Sequence, residues 1–145
     1  MLPPKDRLSI CFAHVAYRLH ERFASLDTGI GSFEVRDADS LSARIGEADV
    51  LVVSGLWNNA LLDRAPRLRF IQSIGAGTDQ FPREALARRG IRLASARGVN
   101  ARAVAEHAMA LMLALSRRLL EARDNQAKRV WRGMYWSSVS STRSM

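Results

Sequence analysis

Arg69-Phe70-Ile71-Gln72-Ser73-Ile74-Gly75-Ala76-Gly77-Thr78-Asp79, read on to Ala94, settles the architecture. Arg69 to Ile74 is a short apolar run of strand length, and Gly75 and Gly77 interrupt it. Pro82 to Arg89 then carries apolar residues at helical spacing, and Ile91 to Ala94 reads as a second strand. Strand, glycine loop, helix and strand in that order make one βαβ unit, which requires two parallel neighbours in a sheet.

Working outward towards the amino terminus, Leu8 to Phe12, Ser32 to Val35 and Val50 to Ser54 read as further strands. Ala16 to Leu26, Leu41 to Ala48 and Asn59 to Arg64 are the amphipathic stretches between them. Val50-Leu51-Val52-Val53 is apolar without alternation, as expected of a strand covered by helices on both faces. Short connections and right-handed crossovers then predict an α/β fold, a doubly wound five-stranded parallel sheet, over residues 1–98. Beyond Ala96 the pattern changes. Asn100 is placed to cap one long helix from Ala101 to about Arg123, with Val104, Ala108, Leu111, Met112, Leu115 and Leu119 on one stripe. Ala108 to Leu115 is apolar all round, so this helix, residues 99–124, expects cover on several sides. Residues 125–145 end in a stretch crowded with serine (Ser137, Ser138, Ser140, Ser141, Ser144). It reads as a disordered tail or as sequence lying past a break in the gene.

The apolar share of 48% and charged share of 25% are those of an ordinary globular chain, and 145 residues suffice for a real core. Cys11 is the single cysteine and lies inside an apolar run, which makes it a buried, inert thiol. No apolar stretch is long enough for a membrane span, and Met1 to Leu8 carries charge and prolines where a signal peptide would be apolar, so a cytoplasmic protein without a membrane partner is expected. The net charge of +8 raises a basic nucleic-acid-binding domain as a rival. The arginines are scattered along the chain and no recognition motif or aromatic interleaving accompanies them, so no nucleic-acid partner is expected.

Two glycine pairs invite a dinucleotide-binding reading. Gly29-Ile30-Gly31 precedes a strand instead of following one, and Glu34 stands where the third glycine belongs. Gly75-Ala76-Gly77 follows a strand, but Gln80 holds the third glycine position and no ribose-binding acid comes about 20 residues later. This second loop suits a smaller anion. Its glycines permit left-handed angles that turn successive N–H groups into one concavity at the carboxyl end of a strand. A tight turn without a ligand is the bland alternative.

The run from Arg69 to Asp79, then Arg89-Gly90-Ile91-Arg92-Leu93, Gly98-Val99-Asn100, Ala103-Val104-Ala105-Glu106-His107 and Leu115-Ser116-Arg117-Arg118, resembles the D-2-hydroxyacid dehydrogenase family in order and spacing. The resemblance covers about Val50 to Arg123 and implies a flavodoxin-like first domain facing a separate Rossmann domain. It implies that backbone N–H groups of Ile74, Gly75, Ala76 and Gly77 hold the carboxylate of a small 2-hydroxy or 2-keto acid, with Ser54 at the mouth of the cleft. By position, Ala76 and Val104 would approach an NAD or NADP cofactor, although Val104 stands where some relatives have a hydroxyl. The Ala101 to Arg123 helix would bridge domains and form a homodimer.

Glu106 and His107 are helix neighbours pointing about 100° apart, so they do not share one proton, and His14 and His20 have no carboxylate or metal partner at useful spacing. No catalytic or metal-ligating residue is therefore assigned. The family's catalytic arginine, acid and histidine, like its cofactor domain, come later than the positions present here. The resulting expectation is a truncated dehydrogenase, inactive alone. The alternative is a stand-alone flavodoxin-like module that binds small acids or a partner through the Gly75 to Gly77 loop.

Overall fold

The computed structural model describes residues 2–131. The chain divides into two compact units, one ending at Val99 and the other starting at Asn100.

In the first unit five strands, β1 (Ser9–Ala13), β2 (Gly31–Val35), β3 (Val50–Val53), β4 (Phe70–Ser73) and β5 (Arg92–Ser95), form one sheet. The order is β2-β1-β3-β4-β5 and every pairing is parallel, the flavodoxin-like arrangement. Each strand lies within one residue of its expected position at either end. Helices α1 (Leu19–Ala24), α2 (Ala38–Arg44) and α3 (Arg83–Arg88) and a 3-10 helix over Asn59–Arg64 make the crossovers.

Alternation along the strands sends the apolar residues to both faces. Cys11, Ala13, Leu51, Val53 and Ile71 join Leu41 of α2, Leu61, Leu62 and Leu86 of α3 in the larger core. Ile10, Phe12 and Val50 pack on the other face with Leu19 and Phe23 of α1. Leu41, Leu51, Ile71 and Leu86 are almost wholly enclosed, and full burial of such a side chain stabilises by about 1.5–3 kcal/mol.

Several boundaries differ from the sequence reading, each for a local reason. Helix α2 begins at Ala38, ahead of Leu41, because Asp37 caps it: its carboxylate accepts from the Ser40 N–H at 2.7 Å and from the Ser40 hydroxyl at 2.8 Å. Helix α1 begins only at Leu19, because the Ala16 and Tyr17 N–H groups both donate to Nδ1 of His14, at 3.0 and 2.8 Å. Asn59 to Arg64 coils as a 3-10 helix, its start fixed by the Ala60 N–H donating to Oδ1 of Asn58.

The second unit corrects the expectation of one uninterrupted helix. It holds α4 (Ala101–Ser116) and α5 (Leu119–Ala127), separated at Arg118, which takes a left-handed φ of 51°. Ser116 bonds back to the Leu113 carbonyl at 3.2 Å, a contact that loosens a helix end, while Arg118 pairs with Glu121 to open the next helix. Asn100 holds the N-cap position of α4 without a side-chain cap bond. Residues 125–127, expected in the tail, belong to α5, and the serine-rich stretch lies outside the described residues. Among the described residues no helix is long and apolar enough to cross a membrane, and no group of three or more His, Cys, Asp or Glu side chains is placed to hold a metal ion.

Candidate functional site

All five strands end in one register: Ala13 pairs with Val35 and with Val53, Val53 with Ser73, and Ser73 with Ser95. The residues one step further, Arg36, His14, Ser54, Ile74 and Ala96, therefore form a level lip at the carboxyl end of the sheet, where open α/β sheets take ligands. Ser54 and Ile74 are neighbours there, the Ile74 N–H donating to the Val53 carbonyl at 3.0 Å.

That bond changes the donor set expected of the Gly75 to Gly77 loop, because the Ile74 amide is already committed. The next peptides are governed by Ser73, whose side chain is fully buried and whose hydroxyl lies 3.2 Å from the Gly75 carbonyl oxygen and 3.4 Å from that of Gly77. The Gly75 carbonyl also accepts from the Ala96 N–H at 3.1 Å. In a planar trans peptide the C=O and the following N–H point in opposite directions. Holding the Gly75 and Gly77 carbonyls towards Ser73 therefore aims the Ala76 and Thr78 N–H groups away from it. Among the described residues the Gly75, Ala76, Gly77 and Thr78 amides have no protein acceptor.

The glycines achieve this without the left-handed angles anticipated for them. Positive φ occurs at Gly29, Gly55, Gly90 and Gly98, and neither Gly75 nor Gly77 is among them. A β-carbon on Gly77 would meet nothing within 4 Å, and one on Gly75 would meet only the Ser73 hydroxyl at 3.8 Å. Small size at these positions keeps the approach to the amides open, and the backbone does not require it.

Sequence reasoning missed Ser73 and Thr78. The available signal was a serine closing an apolar strand directly before a Gly-x-Gly, a polar side chain that must find a partner once buried. Thr78 is further fixed by Arg83, whose Nη2 donates to Oγ1 at 2.5 Å.

The histidines have structural partners. His14 lies on the lip beside Ser54 with Nδ1 accepting two amides, its ring stacked on Tyr17 at 4.2 Å. His20 shares a 3.2 Å hydrogen bond with the Ser32 hydroxyl and packs near Phe12. On α4, Glu106 is paired with Arg102 at 2.8 Å and Val104 is exposed. The described residues give a dinucleotide no cradle. The Gly75 to Gly77 loop is followed by a turn and by a six-residue helix that starts only at Arg83, so it does not open a helix over a pyrophosphate.

A family model described as the catalytic domain of D-isomer specific 2-hydroxyacid dehydrogenases matches residues 15–145. Glyoxylate/hydroxypyruvate reductase B of Yersinia enterocolitica is 34% identical over 134 residues, which cover 90% of this chain and 40% of that protein. Among solved structures, a D-isomer specific 2-hydroxyacid dehydrogenase family protein from Aeromonas salmonicida superposes with a TM-score of 0.73 at 23% identity, covering 90% of this chain and 43% of that one. An NAD-dependent formate dehydrogenase from Staphylococcus aureus, solved with NAD, gives 0.63 at 19% identity over 86% of this chain and 43% of its own. The chain thus spans about two fifths of the length of the relatives it matches.

Proposed function

The chain belongs to the D-isomer specific 2-hydroxyacid dehydrogenase family, and from that membership we propose that it forms the substrate-side half of a site where an NAD(P)-dependent oxidoreductase interconverts a D-2-hydroxy acid and its 2-keto acid. The observation that carries the reading is the pair of Ala76 and Thr78 amides turned outward by the inward tie of Ser73. Gly75 and Gly77 beside them add unclaimed N–H groups and no side chain to block a carboxylate. Such amides are fixed dipoles that favour an anion. Ser54, one residue past β3 as Ile74 is one residue past β4, is the side chain assigned on this reading to the mouth of the cleft.

A nicotinamide cofactor supplies hydride chemistry in this family. The described residues do not form its pyrophosphate cradle, so on this reading they bind and orient the acid and leave cofactor binding to residues outside them. Ala76, on the loop, and Val104, on α4, are cofactor-contacting positions only by their place in the family resemblance. On the same reading this chain alone transfers no hydride and works in the cytoplasm. It associates as a homodimer through α4, whose Met109, Leu111, Met112, Leu113 and Leu115 are each more than half exposed.

The test is a titration of the labelled chain with glyoxylate and with pyruvate, followed by amide NMR. Shifts centred on Gly75 to Thr78 are expected. Shifts that leave these four unmoved overturn the site. A stand-alone acid-binding module predicts the same shifts, and it is separated by α4: such a module would be a monomer with α4 protected.

A further inference from the structure

A cavity of about 410 Å³ opens beside the loop, between α3 and the free edge of β5. Its polar lining is Arg83, Arg97, Thr78 and Ser95, and its apolar lining includes Ala76, Ala87 and Leu93. No carboxylate lines it. Neither Arg83 nor Arg97 is paired with an Asp or Glu among the described residues, a state they share with other surface arginines such as Arg88 and Arg92, and what sets them apart is that both line one cavity. Arg83 is held at the rim by its bond to Thr78.

We infer that this cavity is a second anion site, specific for the phosphate group of a small phosphorylated molecule whose short carbon body rests on Ala87 and Leu93. Two guanidinium forks and two hydroxyls supply more donors than one carboxylate accepts. They suit the three terminal oxygens and the charge, near −2, of a phosphate monoester. The volume matches a small-molecule pocket. Ala76 and Thr78 border this cavity as well as the carboxylate loop, so the inference rests on the side chains of Arg83, Arg97 and Ser95, which the carboxylate reading does not use.

The experiment titrates the labelled chain with inorganic phosphate, with glycerol phosphate and with acetate at fixed ionic strength. Phosphate and glycerol phosphate are expected to move the Ser95 and Arg97 signals most, glycerol phosphate binding more tightly because its carbon body reaches Ala87 and Leu93, and acetate to bind about tenfold more weakly than either. Arg97→Gln should weaken phosphate by about tenfold, and Arg97→Lys, which keeps the charge and loses the fork, by several-fold. Arg97 is exposed, so both variants retain the fold, checked by an unchanged spectrum elsewhere. Equal affinity for acetate, shifts dispersed over other arginines, or a phosphate affinity unchanged in Arg97→Gln each overturns the assignment. Glyoxylate titration of Arg97→Gln separates this site from the loop: retained binding supports two sites, and loss of glyoxylate binding together with phosphate binding shows that there is one.

Discussion

Arg67 grips Asp49 from both sides of its carboxylate, with Nη2 2.7 Å from Oδ2 and Nε 3.3 Å from Oδ1. Asp49 is 5% exposed and its Oδ2 also accepts the Ser9 N–H at 3.0 Å, while its main chain bonds to Ser9, Arg69 and Phe70. It thereby joins the starts of β1, β3 and β4 at the end of the sheet away from the lip. Asp49→Ala strands the Ser9 N–H and should destabilise by about 2–3 kcal/mol. Arg67→Gln should cost less, since the guanidinium is half exposed and the Ser9 bond survives. Urea unfolding of both variants checks the order, and acid binding should be unaffected in either.

Cys11 gives stability a dependence on alkaline pH. Burial pushes its thiol from an ordinary value of 9.0 up to about 12; the Arg44 charge opposes this and the Glu47 charge adds to it. The native state therefore holds the proton more tightly than the unfolded chain. Its contribution is intact below pH 9 and declines as the pH rises from 9 towards 12, at up to about 1.4 kcal/mol per pH unit. Subtracting the pH–stability curve of Cys11→Ala from that of the native chain should isolate this slope. A flat difference would remove the burial argument.

The loop glycines and the left-handed glycines should respond oppositely to side chains. Gly77→Val meets open space at the β-carbon and no positive φ, so stability should change by less than about 0.5 kcal/mol while glyoxylate binding falls by an order of magnitude. Gly98, with φ +88°, should lose about 1–2 kcal/mol on the same substitution. Thermal melts with a binding titration on each variant decide it.

Helix α4 should drive self-association. Met109, Leu111, Met112, Leu113 and Leu115 are 52–73% exposed, and covering such surface gains about 25 cal/mol per Å². Leu111→Lys with Leu115→Lys should move the sedimenting species towards monomer, because an ammonium at a self-contact is strongly disfavoured. A native chain that sediments as a monomer at tens of micromolar would exclude the homodimer.

What the sequence reveals is the framework. Val50 to Val53 is legible because burial on both faces leaves it no polar position, and Phe70 to Ser73 because Gly75 and Gly77 follow close behind it. The start of α2 was hidden because Asp37 acts through its side chain, and periodicity registers only apolar spacing. The break at Arg118 was hidden because it needs neither glycine nor proline, only an arginine held in a left-handed conformation. Around the loop, Gly75 and Gly77 advertise a site, but the direction of its amides depends on a hydroxyl at Ser73 that turns back on its own loop and on the Ala96 amide, a contact that exists only once β4 and β5 lie side by side.

The common register of Ala13, Val35, Val53, Ser73 and Ser95 means that no strand overhangs its neighbour. Each crossover segment is rooted at the same height, so lengthening or exchanging one of them displaces none of the other four roots. The sheet serves as a fixed socket and the segments as separable inserts, so ligand preference can be altered by grafting one insert while the hydrogen-bond ladder beneath it stays whole.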